Sequence, residues 1–590
     1  MNCLIFFTII LFALILNVYG RTVKFSLITF GNNATVTFNN KTLDLKPIDN
    51  FSRVYSISSE CPDKEFSYTY TVDGKSEGFN RTLPVEVLTT HNEFFGRNET
   101  LRPLKGLGYP KDKPQWNRSI GKTDVFDESY IPTVIIDNGS REYFITGNDT
   151  WTLGRFTLIL KDEVFSEKNV PSKAQNRYQD KFQWRIKLDK KIHKRKVFKF
   201  RSNSADPCFF RQSLYGDLAA AIGNPVHNQV IVRVYLDDGT PIGLYLMIEV
   251  TSSNSFIKSQ FYGNEATGKI DVPETGLGFP LDCSTGADFV IGSNFRAFQY
   301  SEGENNEKIK YLTEAMHKLD VKDEKAVKKF DKEWLDLDTF FKALALEYLT
   351  GDWDSYWMLT SNFVMYDAPE ESTNSTFKYY FIDQDFDLTF GIGISEPLNR
   401  YGDRFPYQSY KTLVDRKWNI EKNDGPTREA INIFLRGGIT TKRFENHLID
   451  IVKHVFNPVA LGRRLDEYHR RYIDEIEWDY GIERLHIGNN PNKTRFVWTI
   501  DDYYENMEDT PKESTAWGLK QWIKIRAKAV SEEFKFKWDE VPLEPASKSD
   551  NVTVNLQRRD ENNQSNGVNK KMIMSKVFAF MTLALFVLFL

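Results

Sequence analysis

Two short aromatic runs bordered by carboxylates constrain this chain more than any other feature. The runs cover residues 361–366 and 379–391, and the polar segment 370–376 separates them. Apolar runs on both sides of a turn-rich segment predict a β-hairpin. Asp352 and Asp354 stand just before the first run, and the second run carries further carboxylates. The hairpin is therefore expected to hold acidic groups at both its entrance and its exit.

Two carboxylates of the second run are spaced two residues apart. If the strand continues through Asp385 and Asp387, both side chains point to the same face. Carboxylates buried together repel each other and lose hydration, and a cation between them relieves both effects. With Asn362 they would offer oxygen ligands alone, which suit Mg, Mn or Ca better than zinc. The alternative is a hairpin in which Asp383 and Asp387 are solvated turn residues.

Four blocks in a fixed order carry a more specific signal. They are the basic segment 199–223, the segment Gly243-Leu244-Tyr245-Leu246-Met247-Ile248-Glu249, the stretch 354–366, and Phe381-Ile382-Asp383-Gln384-Asp385-Phe386-Asp387-Leu388-Thr389-Phe390-Gly391. Together they resemble segments of the CotH family, the spore coat protein H-like atypical kinases. The resemblance extends over roughly residues 130–534. One departure is Asp383-Gln384, where the family usually has Pro-Trp, at the rim of the implied site.

The resemblance implies an α+β chain with an atypical protein-kinase-like fold, a mixed β lobe and an α-rich lobe, over residues 106–540. It also implies ATP with Mg or Mn as cofactors, since phosphoryl transfer uses cations and a metal around the phosphates and a carboxylate near the hydroxyl. Asp385, Asp387 and Asn362 are the implied metal ligands, and Asp354 is the implied catalytic base or second metal carboxylate, with Asp352 equally available. Lys187, Lys199 or Arg201 would bind phosphate, and Glu249 would orient the cation that does so. Each of the three cations has the alternative of a solvated side chain on an amphipathic strand.

Several other classes of protein are disfavoured. A net charge of −4 and a pI of 6.2 give no electrostatic case for nucleic acid as a partner. The sequence has no G-x-x-x-x-G-K-[ST] loop, no H-R-D motif and no H-E-x-x-H motif, so P-loop enzymes, ordinary protein kinases and zinc hydrolases lack support. The basic run 190–196 is typical of a solvated turn, or it would steer an anionic nucleotide toward a nearby phosphate site.

The two ends of the chain suggest a secreted, membrane-anchored glycoprotein. Residues 1–20 fit a signal peptide, with an apolar core shorter than the ~20 residues that a membrane span needs. N-x-[ST] tripeptides are dense in the first quarter of the chain. Residues 541–566 are predicted to be a disordered linker, and 567–590 match a GPI-anchor signal with Ser565 or Asn566 as the attachment residue.

The mature chain keeps three cysteines, an odd number for an oxidising compartment. Because Cys208 and Cys283 both fall in the kinase-like region, they are the preferred disulfide pair, and Cys61 would be free or intermolecular. Alternating strand patterns with Asn and Gly turns predict a small β-sandwich over residues 21–105. Its aromatic residues leave a cell-wall carbohydrate as an alternative partner.

These observations lead to three functional hypotheses. The first is a secreted or GPI-anchored CotH-like kinase of the cell surface or spore coat that transfers the ATP γ-phosphate to Ser or Thr of surface or coat proteins. The second is an adhesin, an invasin or a structural coat protein that uses the kinase fold as a scaffold to bind a host or cell-surface protein. The third is a wall-associated carbohydrate-binding protein.

Overall fold

The structure is a computed structural model that describes residues 20–300, 307–418, 427–486, 496–508 and 517–545. The predicted signal peptide lies outside the described residues except for Gly20, and so do the predicted anchor tail and the linker beyond Pro545. Within the described residues the chain is a mixture of helices and strands. None of the helices found there is both long enough and apolar enough to cross a membrane.

The N-terminal part contains two small sheets. Its strands are Gly20–Ile28 (β1), Ala34–Phe38 (β2), Lys41–Asp44 (β3), Lys46–Pro47 (β4), Val54–Pro62 (β5), Phe66–Val72 (β6), Lys75–Ser76 (β7), Arg81–Leu83 (β8) and Glu93–Phe94 (β9). One sheet has the order β4-β5-β1-β9, and the other has β3-β2-β6-β7 with β8 also paired to β6. Apolar side chains that alternate along β1, β2 and β6, such as Phe25, Val36 and Tyr70, form one buried cluster. Each sheet therefore has a face in a common core.

A closed barrel follows. Its strands are Thr133–Ile136 (β10), Thr150–Ile159 (β11), Val164–Gln175 (β12), Gln183–Ile192 (β13), Arg195–Arg201 (β14), Gln229–Leu236 (β15) and Pro241–Glu249 (β16), in the order β10-β11-β12-β13-β14-β16-β15. Within it, β15 and β16 form an antiparallel hairpin. Trp184, Phe198 and Met247 fill the barrel, whereas Leu246 and Ile248 on the other face of β16 join the core of the helical part. The two faces of these strands thus belong to two different cores.

The predicted acidic hairpin is present in a separate sheet. Four more strands are Gly263–Asn264 (β17), Lys269–Ile270 (β18), Pro280–Cys283 (β19) and Phe298–Tyr300 (β20), and the hairpin itself is Phe363–Asp367 (β21) with Tyr379–Asp383 (β22). β22 ends at Asp383, and Asp385 has a φ of 59° in the left-handed region. The prediction that one strand carries Asp385 and Asp387 on the same face is therefore wrong. Two-residue alternation ends where the backbone leaves the extended conformation.

The helices follow the apolar periodicity of the sequence. They are Arg141–Thr146 (α1), Arg211–Ala221 (α2), Asn254–Phe261 (α3), Glu307–His317 (α4), Glu324–Glu333 (α5), Leu337–Thr350 (α6), Tyr356–Leu359 (α7), Tyr410–Asp415 (α8), Glu429–Phe434 (α9), Gly438–His454 (α10), Pro458–Tyr480 (α11), Ile500–Glu508 (α12) and Leu519–Phe534 (α13). The helix α6 leads directly into Asp352 and Asp354. All of its side chains except that of Asp338 are buried, so it is the centre of the helical core.

The end of α6 is fixed by a glycine. Gly351 has a φ of 61°, which an L side chain rarely adopts, and its N–H closes the helix. A Cβ at this position would lie 2.4 Å from Cζ2 of Trp522 in α13. The aromatic ring therefore requires glycine at the point where the chain turns toward Asp352.

The predicted disulfide is wrong. Cys61, Cys208 and Cys283 are all free and buried. Cys208 Sγ contacts Oδ1 of Asn506 in α12 at 3.3 Å, and Cys283 lies in β19 in the middle of the hairpin sheet. Cys208 and Cys283 both lie in the region assigned to the kinase-like fold, but their thiols do not meet because each is packed in a different part of the core.

Candidate functional site

Two cations of β14 meet the acidic loop that follows β22. Lys199 Nζ lies 3.1 Å from Asp385 Oδ1. Arg201 binds the same oxygen through Nη1 and reaches Asp387 Oδ1 through Nη2 at 2.7 Å. The structure thus brings together four of the residues named from the sequence, and Arg201 bridges the two carboxylates.

Strand register explains why these cations face the acidic loop. In β14, Lys199 is opposite Ile248, and residues directly opposite each other share a face of the sheet. Ile248 belongs to the helical core, so Lys199 and, two residues on, Arg201 point out of the barrel toward that core. The loop is held in place by Phe386, whose ring stacks on Tyr215 of α2 with centroids 4.1 Å apart.

The charges of Asp385, Lys199 and Arg201 shift one another's pKa values. Burial alone would raise the pKa of Asp385, but Arg201 and Lys199 hold it well below its usual range. Burial lowers the pKa of Lys199 against the attraction of Asp385. For Arg201 the two carboxylates outweigh burial, and its pKa is raised. Asp385 is therefore ionised in the fold, with two cations on one side of it.

Asp354 approaches the same loop from the other side. Burial raises its pKa to about 6, and the charges of Asp387 and Asp385 add to that rise. Asn362 donates from Nδ2 to the backbone oxygen of Asp354 at 2.7 Å, and its side chain also stabilises the ionised carboxylate. A partly exposed carboxylate with a pKa near neutrality can accept a proton from a hydroxyl.

Asp352 belongs to a buried acidic group behind Asp354. Burial and the charges of Asp383 and Asp354 raise the pKa of Asp352 far above its ordinary value. Asp383 accepts a 2.5 Å hydrogen bond from the Tyr215 hydroxyl, and burial raises its pKa to about 6. Glu347 of α6 is fully buried and its pKa is also raised by burial and by Asp383. These acids hold protons among themselves and support the loop from inside the core.

Glu249 lies on the opposite face of the barrel wall from Lys199. It stands opposite Phe198, which fills the barrel. Its carboxylate pairs with Arg195 Nε at 2.8 Å and accepts hydrogen bonds from Asn228 and Ser259. The cation that Glu249 orients is therefore Arg195, and Lys199 is held by Asp385.

Lys187 lies apart from the acidic loop, on the wall of a cavity of about 1090 Å³. The cavity runs along the outer faces of β11 to β14 and is closed on one side by residues 250–255 and Lys258. Arg185, another wall residue, is the register partner of Lys199. The cavity and the acidic loop are thus neighbours along β13 and β14.

The donor set suits a hard cation, although none of the described residues forms a ready-made metal cage. Among them, no group of three or more His, Cys, Asp or Glu is arranged to hold a metal ion. Asp385 and Asp387 are instead both ion-paired with Arg201. Burial raises the pKa of Asp354, and the neighbouring charges of Asp387 and Asp385 add to that rise. Oxygen ligands with excess negative charge fit Mg or Mn.

Sequence reasoning missed several residues that shape the site. The roles of Tyr215 and Glu347 could not be predicted from the sequence, because both lie on apolar helices whose pattern predicts only that they are buried. Gln384 donates to Asp282 Oδ1 at 2.6 Å and also accepts from Thr251, so it ties the end of β16 to β19. The sequence did hold one signal for these contacts, because Asp383-Gln384 departs from the family pattern. Polar residues at an unusual position suggest specific hydrogen-bond partners.

Comparison with known proteins gives consistent results. The family model described as CotH kinase protein matches residues 173–529. The chain is 29% identical to "Invasin CotH3" of Rhizopus delemar over 556 residues, which cover 90% of this chain and 87% of that protein. It is 26% identical to "Spore coat protein homolog 1" of the same organism over 541 residues, 88% of this chain and 83% of that one.

Proposed function

Because this chain belongs to the CotH family, we propose that it is a metal-dependent phosphotransferase that moves the γ-phosphoryl group of ATP to a Ser or Thr hydroxyl of a surface or coat protein. The observation that carries the proposal is the contact between Lys199 and Asp385 beside Asp354. Phosphoryl transfer relies on such parts: a lysine on a strand, a metal-binding aspartate and a carboxylate near the attacking oxygen.

Each residue has one role in the proposed reaction. Asp354 accepts the proton of the Ser or Thr hydroxyl as the hydroxyl oxygen forms a bond to the γ-phosphorus. The bond from that phosphorus to the bridging β–γ oxygen breaks, and ADP leaves with the electron pair. Lys199 and Arg201 lie where they can stabilise the negative charge of the phosphates.

Asp385, Asp387 and Asn362 are the proposed metal ligands. Bound Mg or Mn would neutralise phosphate charge and leave Arg201 free to turn from the carboxylates toward the nucleotide. The positive φ of both Asp385 and Asn362, 59° and 55°, marks backbone held in an uncommon conformation, as is frequent at functional sites.

The cavity beside Lys187 is the proposed seat of the rest of the nucleotide. Val197 and Val250 line it and offer apolar surface to a base. Lys199 lies two residues beyond Val197 on β14 and on the same face. A nucleotide in the cavity can therefore extend its phosphates to Asp385.

A kinase-like arrangement of two lobes agrees with these positions. β13 to β16 supply the basic wall, and α6 with the β21–β22 hairpin supplies the acidic loops. The proposed site lies between the two. Relatives whose names refer to invasion and to the spore coat support a surface or coat location, and the secretion signal and GPI anchor remain part of the proposal.

The test is calorimetric binding of ATP with Mg or Mn to the full chain, followed by transfer of labelled phosphate to surface proteins. Asp385→Asn should abolish metal-dependent binding, and Asp354→Asn should bind nucleotide but transfer at least about a hundredfold more slowly. Asp63→Asn is the matched control because Asp63 is exposed in the N-terminal sheets. Circular dichroism checks that each variant is folded. If the unaltered chain bound no ATP with either metal, the proposal would be wrong.

A second candidate is adhesion, with the kinase-like part acting as a scaffold. It is favoured by the names of relatives called invasins and by the ion pairs of Arg201, which already neutralise both proposed metal ligands. Under this alternative, a doubly substituted Asp354→Asn, Asp385→Asn chain displayed on cells would adhere to partner cells as well as the unaltered chain does. Loss of adhesion in step with loss of phosphate transfer would exclude it.

A further inference from the structure

The cavity proposed to hold the rest of the nucleotide is lined by one sign of charge. Seven of its nineteen lining residues are Lys or Arg, and none is Asp or Glu. Lys191, Lys194 and Lys196 lie at or beside the turn between β13 and β14, and α3 adds Lys258. Within the described part of the chain, no salt bridge pairs any of the seven with a carboxylate. Solvated surface lysines are usually interspersed with acids, so an unpaired cationic concavity of this kind predicts an anionic ligand.

The backbone that carries these lysines is held in place. Glu167 accepts hydrogen bonds from the N–H groups of Asp189 and Lys190 at 2.7 and 2.9 Å, at the irregularity where β13 enters its turn. His193 contacts Glu163 at 2.8 Å in the middle of that turn. The turn therefore presents its lysines to the cavity from a fixed base.

The far wall adds hydrogen-bond donors. Ser255 Oγ accepts from the N–H of Lys196 at 2.9 Å, so the first turn of α3 is joined to β14. Asn254 and Ser255, at the N-terminus of α3, line the cavity together with Ser252 and Ser253. Hydroxyl and amide groups can donate to anionic oxygens, and the helix N-terminus contributes partial positive charge.

The lysines of the turn lie farther along the strand than the two cations that already contact Asp385. Lys196 precedes Lys199 by three residues on one strand, which corresponds to about 10 Å. Lys199 and Arg201 already face the position proposed for the phosphates. The lysines of the turn are therefore left for a second anionic group that lies beside the nucleotide.

We propose that this group is an acidic segment of the acceptor protein, in which the Ser or Thr is flanked by Asp and Glu. The acceptor role rests on the proposed phosphotransferase function, whereas the binding of acidic peptide does not require it. A basic peptide would place like charges against Lys191 and Lys194, and a neutral one would leave the lysines uncompensated. The bonds formed and broken, and the proton taken by Asp354, are those of the proposed reaction.

The experiment uses the full chain and three fluorescein-labelled peptides of equal length, in which one Ser is flanked by Asp and Glu, by Gln, or by Lys. Fluorescence anisotropy gives the Kd of each. The acidic peptide should bind at least about tenfold more tightly than the others, and raising the salt concentration should weaken it. Charge reversal in Lys191→Glu, Lys194→Glu should weaken the acidic peptide about tenfold. Lys190→Glu is the matched control, since Lys190 is exposed on the same hairpin and does not line the cavity.

The outcomes separate the two proposals. Equal or weaker binding of the acidic peptide, or equal losses in Lys190→Glu and in the double variant, overturns the acidic-acceptor inference. If the chain binds no ATP but the acidic peptide binds at the turn lysines, the proposed phosphotransferase function and the acceptor role are both wrong. The cavity would then be a docking site for an acidic protein. If both hold, the KM for phosphorylation of the acidic peptide should rise in the double variant by the same factor as its Kd.

Discussion

Lys199 Nζ lies 3.1 Å from Asp385 Oδ1 although 186 residues separate the two in the sequence. One residue belongs to the barrel wall and the other to the loop after the hairpin of the helical part. The pair is therefore a direct electrostatic link between the two parts that form the candidate site. Its strength bears on how readily Lys199 could leave Asp385 for a phosphate.

A double-mutant cycle of Lys199→Met and Asp385→Asn measures that link. Asp385 keeps about a third of its side chain exposed, so solvent screens the pair and each single change should cost about 1–2 kcal/mol in the free energy of unfolding. Asp385→Asn removes the carboxylate that pairs with Lys199, whereas Lys199→Met leaves Asp385 paired with Arg201. The double variant should therefore be about 1 kcal/mol more stable than additivity predicts. Urea unfolding measures these values, and strictly additive losses would show that the pair contributes nothing.

The raised pKa of Asp354 predicts how stability depends on pH. Because its pKa is about 6 in the fold and about 3.9 in the unfolded chain, the stabilising effect of the protonated group is complete below pH 4. That effect is lost as the pH rises through 6. Asp354→Asn should therefore become more stable relative to the unaltered chain between pH 4 and pH 7.5, by up to about 2 kcal/mol. Urea unfolding at both pH values checks this, and a difference that falls with pH would contradict it.

Hairpins, amphipathic helices and the order of the acidic motifs could be read from the sequence because each depends on local periodicity. The β21–β22 hairpin and α6 occur where apolar spacing predicts them. The geometry of the loop at Asp385 could not be read in this way. Its left-handed residue and its contact with Lys199 depend on a distant strand.

The faces of the barrel strands also lay beyond sequence reasoning. Both faces of β16 are apolar, since one fills the barrel and the other joins the helical core. Alternation then gives no sign of which face Glu249 occupies. The same limit applies to Cys208 and Cys283, whose separation depends on tertiary packing.

The free cysteines predict a simple pattern of chemical reactivity. Burial raises the pKa values of Cys61, Cys208 and Cys283, and thiolates are the reactive form. Under native, non-reducing conditions all three should resist alkylation, and in denaturant all three should be modified without prior reduction. Peptide mass spectrometry of the alkylated chain reads this out. A Cys208–Cys283 peptide linked by a disulfide would contradict the structure.

Gly351 should be intolerant of any side chain. Gly351→Ala places a Cβ against the Trp522 ring at a φ of 61°, so the free energy of unfolding should fall by about 2–3 kcal/mol. Gly462→Ala is the matched control, because Gly462 lies inside α11 with no atom near its missing Cβ. This second change should stabilise the chain by about 0.5–1 kcal/mol. Thermal unfolding compares the two, and equal effects would argue against the packing of Trp522 on the end of α6.

Glu347 provides a test of the buried acidic group. Burial and Asp383 raise its pKa well above the ordinary value, which favours the protonated carboxyl, and Glu347→Gln is nearly isosteric with that form. The amide can still accept from Ser355 Oγ and the Trp357 N–H, which lie 2.8 and 3.0 Å from Oε2. Stability at pH 7 should therefore change by less than about 1 kcal/mol in Glu347→Gln. Glu347→Leu leaves the Trp357 N–H unpaired, while the Ser355 hydroxyl can still donate to the backbone oxygen of Asp352, and should cost about 1–3 kcal/mol. The raised pKa also means that the unaltered chain loses stability as rising pH ionises Glu347, and the Gln variant should lack that loss. Urea unfolding between pH 7 and pH 10 measures both effects, and a large loss in Glu347→Gln at pH 7 would show that Glu347 is ionised in the fold.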